Sequence, residues 1–221
     1  MRLRNIPEAK ELVPASPYTI DAEAGKILDI KGIFKEGGDE KKPLHIEIGM
    51  GKGSFIIGMS KLHPEINYIG IERYESVMLR AVQALDKLEE SIENMRLLCM
   101  DAEMLPELFE RGSVDRIYLN FSDPWPKARH AKRRLTSRHF LEIYEKILKP
   151  GSMLEFKTDN RGLFEFSLAE IGEAAIWELK SSTFFLHHDL KPGDENVMTE
   201  YEEKFSKLGS RICKLTACYA G

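Results

Sequence analysis

Glu47-Ile48-Gly49-Met50-Gly51-Lys52-Gly53 closes an apolar run that begins at Leu44 and leads into a helix-forming stretch reaching about residue 62. A strand that runs into Gly-x-Gly-x-Gly lets the backbone turn sharply and approach a ligand without side-chain obstruction. In open α/β sheets, ligands bind in the crevice at the carboxyl ends of the strands, and this turn lies at such an end. Taken alone the glycine pattern is also that of NAD- and FAD-binding chains, so the residues around it must decide.

Working outward, the chain alternates short apolar strands with helical stretches. Strands are expected at residues 44–48, 68–72, 95–100, 116–121 and 153–157, the last entered through the turn Lys149-Pro150-Gly151. Helices are expected up to residue 62, at 77–88, near 105–109 and at 140–148. Strand–helix units of this length imply a parallel sheet covered by helices on both faces. Residues 177–187 and 211–219 read as two long strands, separated by a polar segment and a short helix near 200–208. An antiparallel pair closing a mostly parallel sheet departs from the dinucleotide-binding order. It is compatible with the Rossmann-like α/β fold of class I methyltransferases. Residues 1–40, with Pro7, Pro14, Pro17, Gly37 and Gly38, read as a partly flexible extension, which leaves 41–221 as the domain expected to take this fold.

Three details move the glycine loop away from a dinucleotide. Glu47 stands just ahead of Gly49, Gly51 and Gly53, where it would repel a pyrophosphate but suit the ammonium of S-adenosylmethionine (SAM). Ser54 occupies the place of the third fingerprint glycine. Glu72 ends the second strand about twenty residues on, as an acid binding ribose hydroxyls does, and Asp101 follows the third strand, where it can accept from an adenine amino group. One acid at a strand end is ordinarily a solvated turn residue; three at successive strand ends point to a cofactor.

The fourth strand leads into Ser122-Asp123-Pro124-Trp125-Pro126-Lys127. Two prolines stiffen this loop and hold an acid and a large aromatic face at the mouth of the crevice; a turn with a core tryptophan is the plainer alternative. Lys127, Arg129, His130, Lys132, Arg133, Arg134, Arg138 and His139 follow, with no acid between Asp123 and Glu142. Charge runs usually cover solvated faces. This one starts at a ligand-facing strand end, so it reads as an RNA phosphate surface.

Composition bounds the reading. At 221 residues and 25.3 kDa, one well-filled domain uses nearly the whole chain. The net charge of −4 excludes a general nucleic-acid packer, but phosphate contacts need only a local cluster of cations. No apolar run approaches a membrane span, and Met1-Arg2-Leu3-Arg4-Asn5 lacks the apolar core of a secretory signal. Cys99, Cys213 and Cys218 have no metal-ligand spacing, so no metal is expected and the thiols read as reduced core residues of a cytoplasmic protein.

With these residues in place, the chain resembles the bacterial tRNA (guanine-N7-)-methyltransferase family (TrmB). The likeness is carried by the Glu47–Gly53 loop, Gly70-Ile71-Glu72, Ser122-Asp123-Pro124-Trp125-Pro126-Lys127 and Lys132-Arg133-Arg134. It continues through Phe156-Lys157-Thr158-Asp159 and Thr199-Glu200-Tyr201-Glu202, in order and without departure. The resemblance implies SAM contacts from Glu47, Glu72, Asp101 and Asp123. It implies substrate contacts from Lys127, Asp159, Thr199 and Glu202, with Arg129, Lys132, Arg133 and Arg134 near the RNA. The implied substrate is a guanosine in the variable region of tRNA. Without the family, Thr199-x-x-Glu202 is also a capping box and Asp159 also a cap for a helix starting near Arg161.

Guanine N7 has an in-plane lone pair and no proton, so its methylation is a direct displacement that requires no general base. On this chemistry Asp123 is expected to orient guanine or support the developing cation, and Asp159 and Glu202 to accept from guanine's N1–H and amino group. Trp125 is expected either to stack on RNA or to pack. Three rivals remain. A NAD-dependent oxidoreductase fits Glu47 and Ser54 poorly. An enzyme methylating another RNA base through an exocyclic amine expects Asn/Asp-Pro-Pro-aromatic, whereas here one proline precedes Trp125. A non-catalytic RNA-binding module would not bind SAM. Monomer and homodimer stay equally open.

Overall fold

The computed structural model describes residues 6–34 and 42–221. Residues 1–5 and Gly37-Gly38 of the expected extension lie outside the described residues. The chain divides into two compact units, Met1–Glu110 and Arg111–Gly221.

The first unit contains α1 (Ala9–Ala15), α2 (Ile30–Ile33), β1 (Leu44–Ile48), α3 (Ser54–Leu62), β2 (Asn67–Glu72), α4 (Glu75–Leu85), β3 (Met95–Cys99) and α5 (Leu105–Leu108). β2 lies between β1 and β3, parallel to both, with Ile46 opposite Ile69 and Ile71 opposite Leu98. Every residue of β1 and β2 is buried. That is the unbroken burial of parallel strands covered on both faces, and in β1 it encloses even His45 and Glu47. In α4 the buried Met78, Leu79, Val82 and Leu85 recur at helical spacing and form its inward face.

Residues 6–34 pack onto this unit. The Ile6 amide donates to Ser76 Oγ at 3.0 Å, and Ala9, Val13 and Phe34 are buried. Tyr18–Ile20 runs along the outer edge of β3: the Leu97 amide donates to the Tyr18 carbonyl and the Ile20 amide to the Leu97 carbonyl, both at 2.8 Å. The edge is thereby covered, which removes a row of unpaired backbone groups. Nothing local in the proline-rich sequence signals this pairing, because its partner is some eighty positions downstream.

The second unit contains β4 (Val114–Asn120), α6 (Arg138–Tyr144), β5 (Leu148–Thr158), α7 (Arg161–Glu173), β6 (Trp177–Thr183), α8 (Leu186–Asp189), α9 (Glu200–Lys207) and β7 (Cys213–Tyr219). β4 and β5 are parallel, and β7 inserts antiparallel between β5 and β6, giving the order β4-β5-β7-β6. The expected antiparallel closure is therefore present. β7 alternates buried and half-buried residues, whereas β6 is an edge strand exposed along most of its length. Phe156 stacks on Phe164 at 6.5 Å, and Phe184 meets Phe164 edge-on at 4.9 Å, forming the aromatic part of this core.

Several boundaries differ from expectation; the helix expected at 140–148, for one, is α6 and ends at Tyr144. The fifth strand starts at Leu148, so Pro150-Gly151 lies within it, accompanied by a register shift against β4 between Val114 and Arg116. The strand expected at 177–187 ends at Thr183. There the Phe185 amide donates to Thr183 Oγ1 at 2.9 Å, a hydroxyl-closed turn that redirects the chain into α8.

Candidate functional site

In the first unit the loop after β1 hangs on the end of β2. The Gly49 and Met50 amides both donate to the Ile71 carbonyl, at 2.9 and 3.0 Å. Gly51 and Gly53 adopt the left-handed conformation (φ 59° and 79°), which an L side chain resists. A Cβ on Gly53 would stand 2.9 Å from the Ala81 side chain, whereas one on Gly51 would meet nothing within 4 Å. Gly51 therefore turns its bare face to open space. Glu72 braces the turn: Oε2 accepts from the Gly51 amide and Oε1 from the Tyr74 amide, each at 3.1 Å. Glu47 is buried at the end of β1, immediately before the glycines.

These features fit SAM. A backbone stripped of side chains faces open space, and acids stand at the ends of β1 and β2. A carboxylate oxygen accepts two hydrogen bonds, so ribose hydroxyls can join the two amides on Glu72. Asp101 is held by its surroundings: Oδ1 accepts from the Glu103 amide at 3.1 Å, and Oδ2 pairs with Arg73 Nε at 3.2 Å. An open cavity of about 780 Å³ elsewhere in this unit, beside Lys42, Lys61, Lys87 and Asn94, contains none of these residues. It lies at the amino ends of the strands, away from where α/β folds bind ligands.

In the second unit Asp123 is exposed, and the residues two before and two after it are strained. Phe121 (φ 53°) and Trp125 (φ 42°) are the positive-φ residues other than glycine among those described. Each costs on the order of 1–3 kcal/mol and persists only where surrounding contacts over-determine it. Those contacts are visible. The Phe121 amide donates to the Lys157 carbonyl at 2.8 Å. Arg134 Nε and Nη2 donate to the Pro124 and Trp125 carbonyls at 3.0 and 3.1 Å.

Arg134, expected near the RNA, has partners on its own chain: its guanidinium clamps the Asp123 loop and lies 4.3 Å over the Phe166 ring. Lys127, Arg129, Lys132 and Arg133 are exposed on a 3₁₀ turn, Ala128–Arg133, and its approach. Arg133 caps the Trp125 ring at 4.9 Å, and His130 meets that ring edge-on at 5.7 Å. Trp125 is half-buried among its own neighbours rather than a deep core residue.

At the end of β5, Asn160 caps α7 by accepting from the Leu163 amide at 2.8 Å, leaving Asp159 for another task. Asp159 Oδ2 accepts from the Tyr201 hydroxyl at 3.0 Å. The Tyr201 ring stacks on Phe205 at 4.2 Å and leans on Phe121 at 5.0 Å, while staying 41% exposed. Thr199 caps α9: its Oγ1 accepts from the Glu202 amide at 2.9 Å. The Glu202 side chain faces inward, with Oε2 2.7 Å from Lys157 Nζ and Oε1 at 3.0 and 3.2 Å from Asn196 Nδ2 and His187 Nε2. Its exposure is 0%. Glu202, expected to contact the base, therefore has three internal partners and is enclosed by them.

Lys157, Tyr201 and Phe121 join these side chains in the structure without having been singled out by sequence. The signal for Lys157 was present: a lysine inside a strand expected to be covered on both faces requires a buried partner. Tyr201 and Phe121 carried no comparable mark.

The chain matches the model of a family described as "Putative methyltransferase" over residues 41–215. It is 48% identical over 217 residues to the tRNA (guanine-N(7)-)-methyltransferase of Lachnoclostridium phytofermentans, covering 98% of each chain. It is 47% identical over 212 residues to the protein of the same name from Bacillus subtilis, covering 96% of each. Among solved structures it resembles the 16S rRNA methyltransferase KamB, with TM-score 0.62, 15% identity and 89% and 95% of the two chains covered. A 16S rRNA (adenine(1408)-N(1))-methyltransferase variant from Catenulisporales acidiphilia, solved with cosubstrate SAM, gives TM-score 0.60 at 14% identity over 90% and 96%. At such identities the likeness concerns the fold, which is that of Rossmann-like SAM-dependent methyltransferases.

Proposed function

Because this chain belongs to the tRNA (guanine-N(7)-)-methyltransferase family, we propose that it methylates N7 of a guanine in the variable region of tRNA, using SAM. The observation that carries the reading is near-full-length similarity to proteins of that name, spanning both units and every motif of the site.

We assign Glu47, Gly49, Gly51, Gly53, Glu72 and Asp101 to the donor. Bound SAM supplies an electrophilic methyl on a sulfonium. The protein's own task is alignment and electrostatic support, since the attacking nitrogen carries no proton. Asp123, an exposed carboxylate on a strained and clamped loop, orients guanine and supports the positive charge growing on the purine. Asp159, joined to the Tyr201 hydroxyl, is the acceptor facing the base. Thr199 fixes the start of the helix that carries Tyr201. Lys127, Arg129, Lys132 and Arg133 take the phosphates. We place the protein with its tRNA in the cytoplasm; among the described residues no helix is long and apolar enough to cross a membrane.

The decisive experiment is transfer of labelled methyl from SAM to unmodified tRNA, followed by mapping of the modified base. 7-Methylguanosine in the variable region is expected. Transfer to another base, or to another acceptor only, overturns the substrate assignment.

A further inference from the structure

Lys157 and Glu202 are 45 residues apart and form a buried ion pair with 5% and 0% of their side chains exposed. The ammonium is fully engaged: Nζ donates to Glu202 Oε2 at 2.7 Å, the Val197 carbonyl at 2.9 Å and Asn196 Oδ1 at 3.2 Å. Burial pushes Lys157 below its ordinary value, and Glu202 opposes that shift. A buried pair of this kind contributes little net stability against a well-packed apolar pair, so its retention asks for another reason.

The reason lies in what surrounds it. Lys157 is the penultimate residue of β5, and Asp159 follows the strand directly, two positions on. Their partners, Glu202 and Tyr201, are consecutive on α9. The carbonyl of Lys157 also receives the Phe121 amide, at the root of the loop bearing Asp123. One residue thus ties together the start of the Asp123 loop, the end of β5 and the helix carrying Tyr201. Residues 191–195, in the segment leading to α9, are exposed, and Glu202 is the buried residue of that helix.

We propose that Lys157 is a positioning residue for the base-binding end of the site, setting the register of Tyr201 against Asp159 and Phe121 through its pairing with Glu202. The inference rests on reading the second unit as the part that selects guanine. An apolar contact would hold α9 with looser registry, because only the directed bonds around Glu202 specify which turn of the helix meets β5.

The test compares the wild-type full chain with Lys157→Met, Glu202→Gln and the double variant Lys157→Met/Glu202→Leu. Lys157→Met leaves a buried carboxylate without its cation and is expected to lose stability. The double variant removes both charges, keeps the volume and folds. Calorimetry should show SAM affinity within about two-fold of wild type, while kcat on tRNA falls about 10- to 100-fold and KM changes less than about three-fold. Hydrogen exchange should quicken at residues 158–160 and 199–203. A double variant with wild-type kcat, or with unchanged exchange there, overturns the positioning role. Wild-type protein that methylates no tRNA overturns the functional reading instead, and the exchange measurement still decides the anchor.

Discussion

Glu72 Oε2 accepts the amide hydrogen of Gly51 at 3.1 Å, across 21 residues, so the acid at the end of β2 shapes the loop proposed to receive the donor. Its other oxygen holds the Tyr74 amide at the same distance. Glu72→Gln keeps one acceptor and loses the other along with the charge. Hydrogen bonds to charged groups contribute about 1.5–3 kcal/mol, so SAM affinity should fall roughly 10- to 100-fold with modest change in Tm. Calorimetry checks this, and an unaltered Kd would remove Glu72 from the donor site.

Gly51 and Gly53 should respond differently to alanine although both are left-handed. Gly51→Ala meets open space and pays only for its backbone, about 1–2 kcal/mol. Its methyl group would face the ligand, so SAM binding should suffer more than stability does. Gly53→Ala adds a clash with the Ala81 side chain and should be the less stable variant. Denaturant midpoints and SAM titrations on the pair separate the effects; equal losses in both assays would contradict the assignment.

The basic run divides into a residue that clamps the Asp123 loop, Arg134, and exposed cations proposed to meet RNA. Arg134→Ala removes two bonds to the Asp123 loop and should lower kcat and stability, with the salt dependence of tRNA binding preserved. Arg129→Ala and Lys132→Ala should leave folding alone and flatten the salt dependence by about 0.7–0.9 log units per lost phosphate contact. Filter binding across a salt series distinguishes them. An Arg134 variant that flattens the slope as Arg129→Ala does would return Arg134 to the RNA surface.

Glu155 sets an acid limit on stability. Burial alone would raise it, but Lys214 at 2.7 Å and Arg116 at 2.5 Å outweigh that and hold it below the ordinary glutamate value. A folded-state pKa below the unfolded one stabilises fully above the unfolded value, about 4.3. The contribution is then lost as pH falls through the lower folded value. Tm should be flat in this respect above about pH 5 and decline below it, and Glu155→Gln should reduce that decline. An unchanged acid slope in Glu155→Gln would show that other carboxylates set it.

The sequence by itself determined the strand–helix alternation, the glycine turn at the end of β1, the acids at the strand ends and the rigid Asp123 loop. Each is a local property: a period, a spacing, a proline-fixed backbone. Tertiary structure decided which way the polar side chains point. Glu202 reads from sequence as an acceptor for the base, but it turns inward to Lys157, 45 positions away. Arg134 belongs by composition to the RNA surface, but its guanidinium closes on carbonyls nine and ten residues back. Asp159 reads from sequence as a possible cap for α7, but Asn160 takes the Leu163 amide and Asp159 the Tyr201 hydroxyl. Charge and chemical type are written in the chain. The partner of a long polar side chain depends on the register of elements far apart in sequence, which exists only once the sheet and α9 have packed.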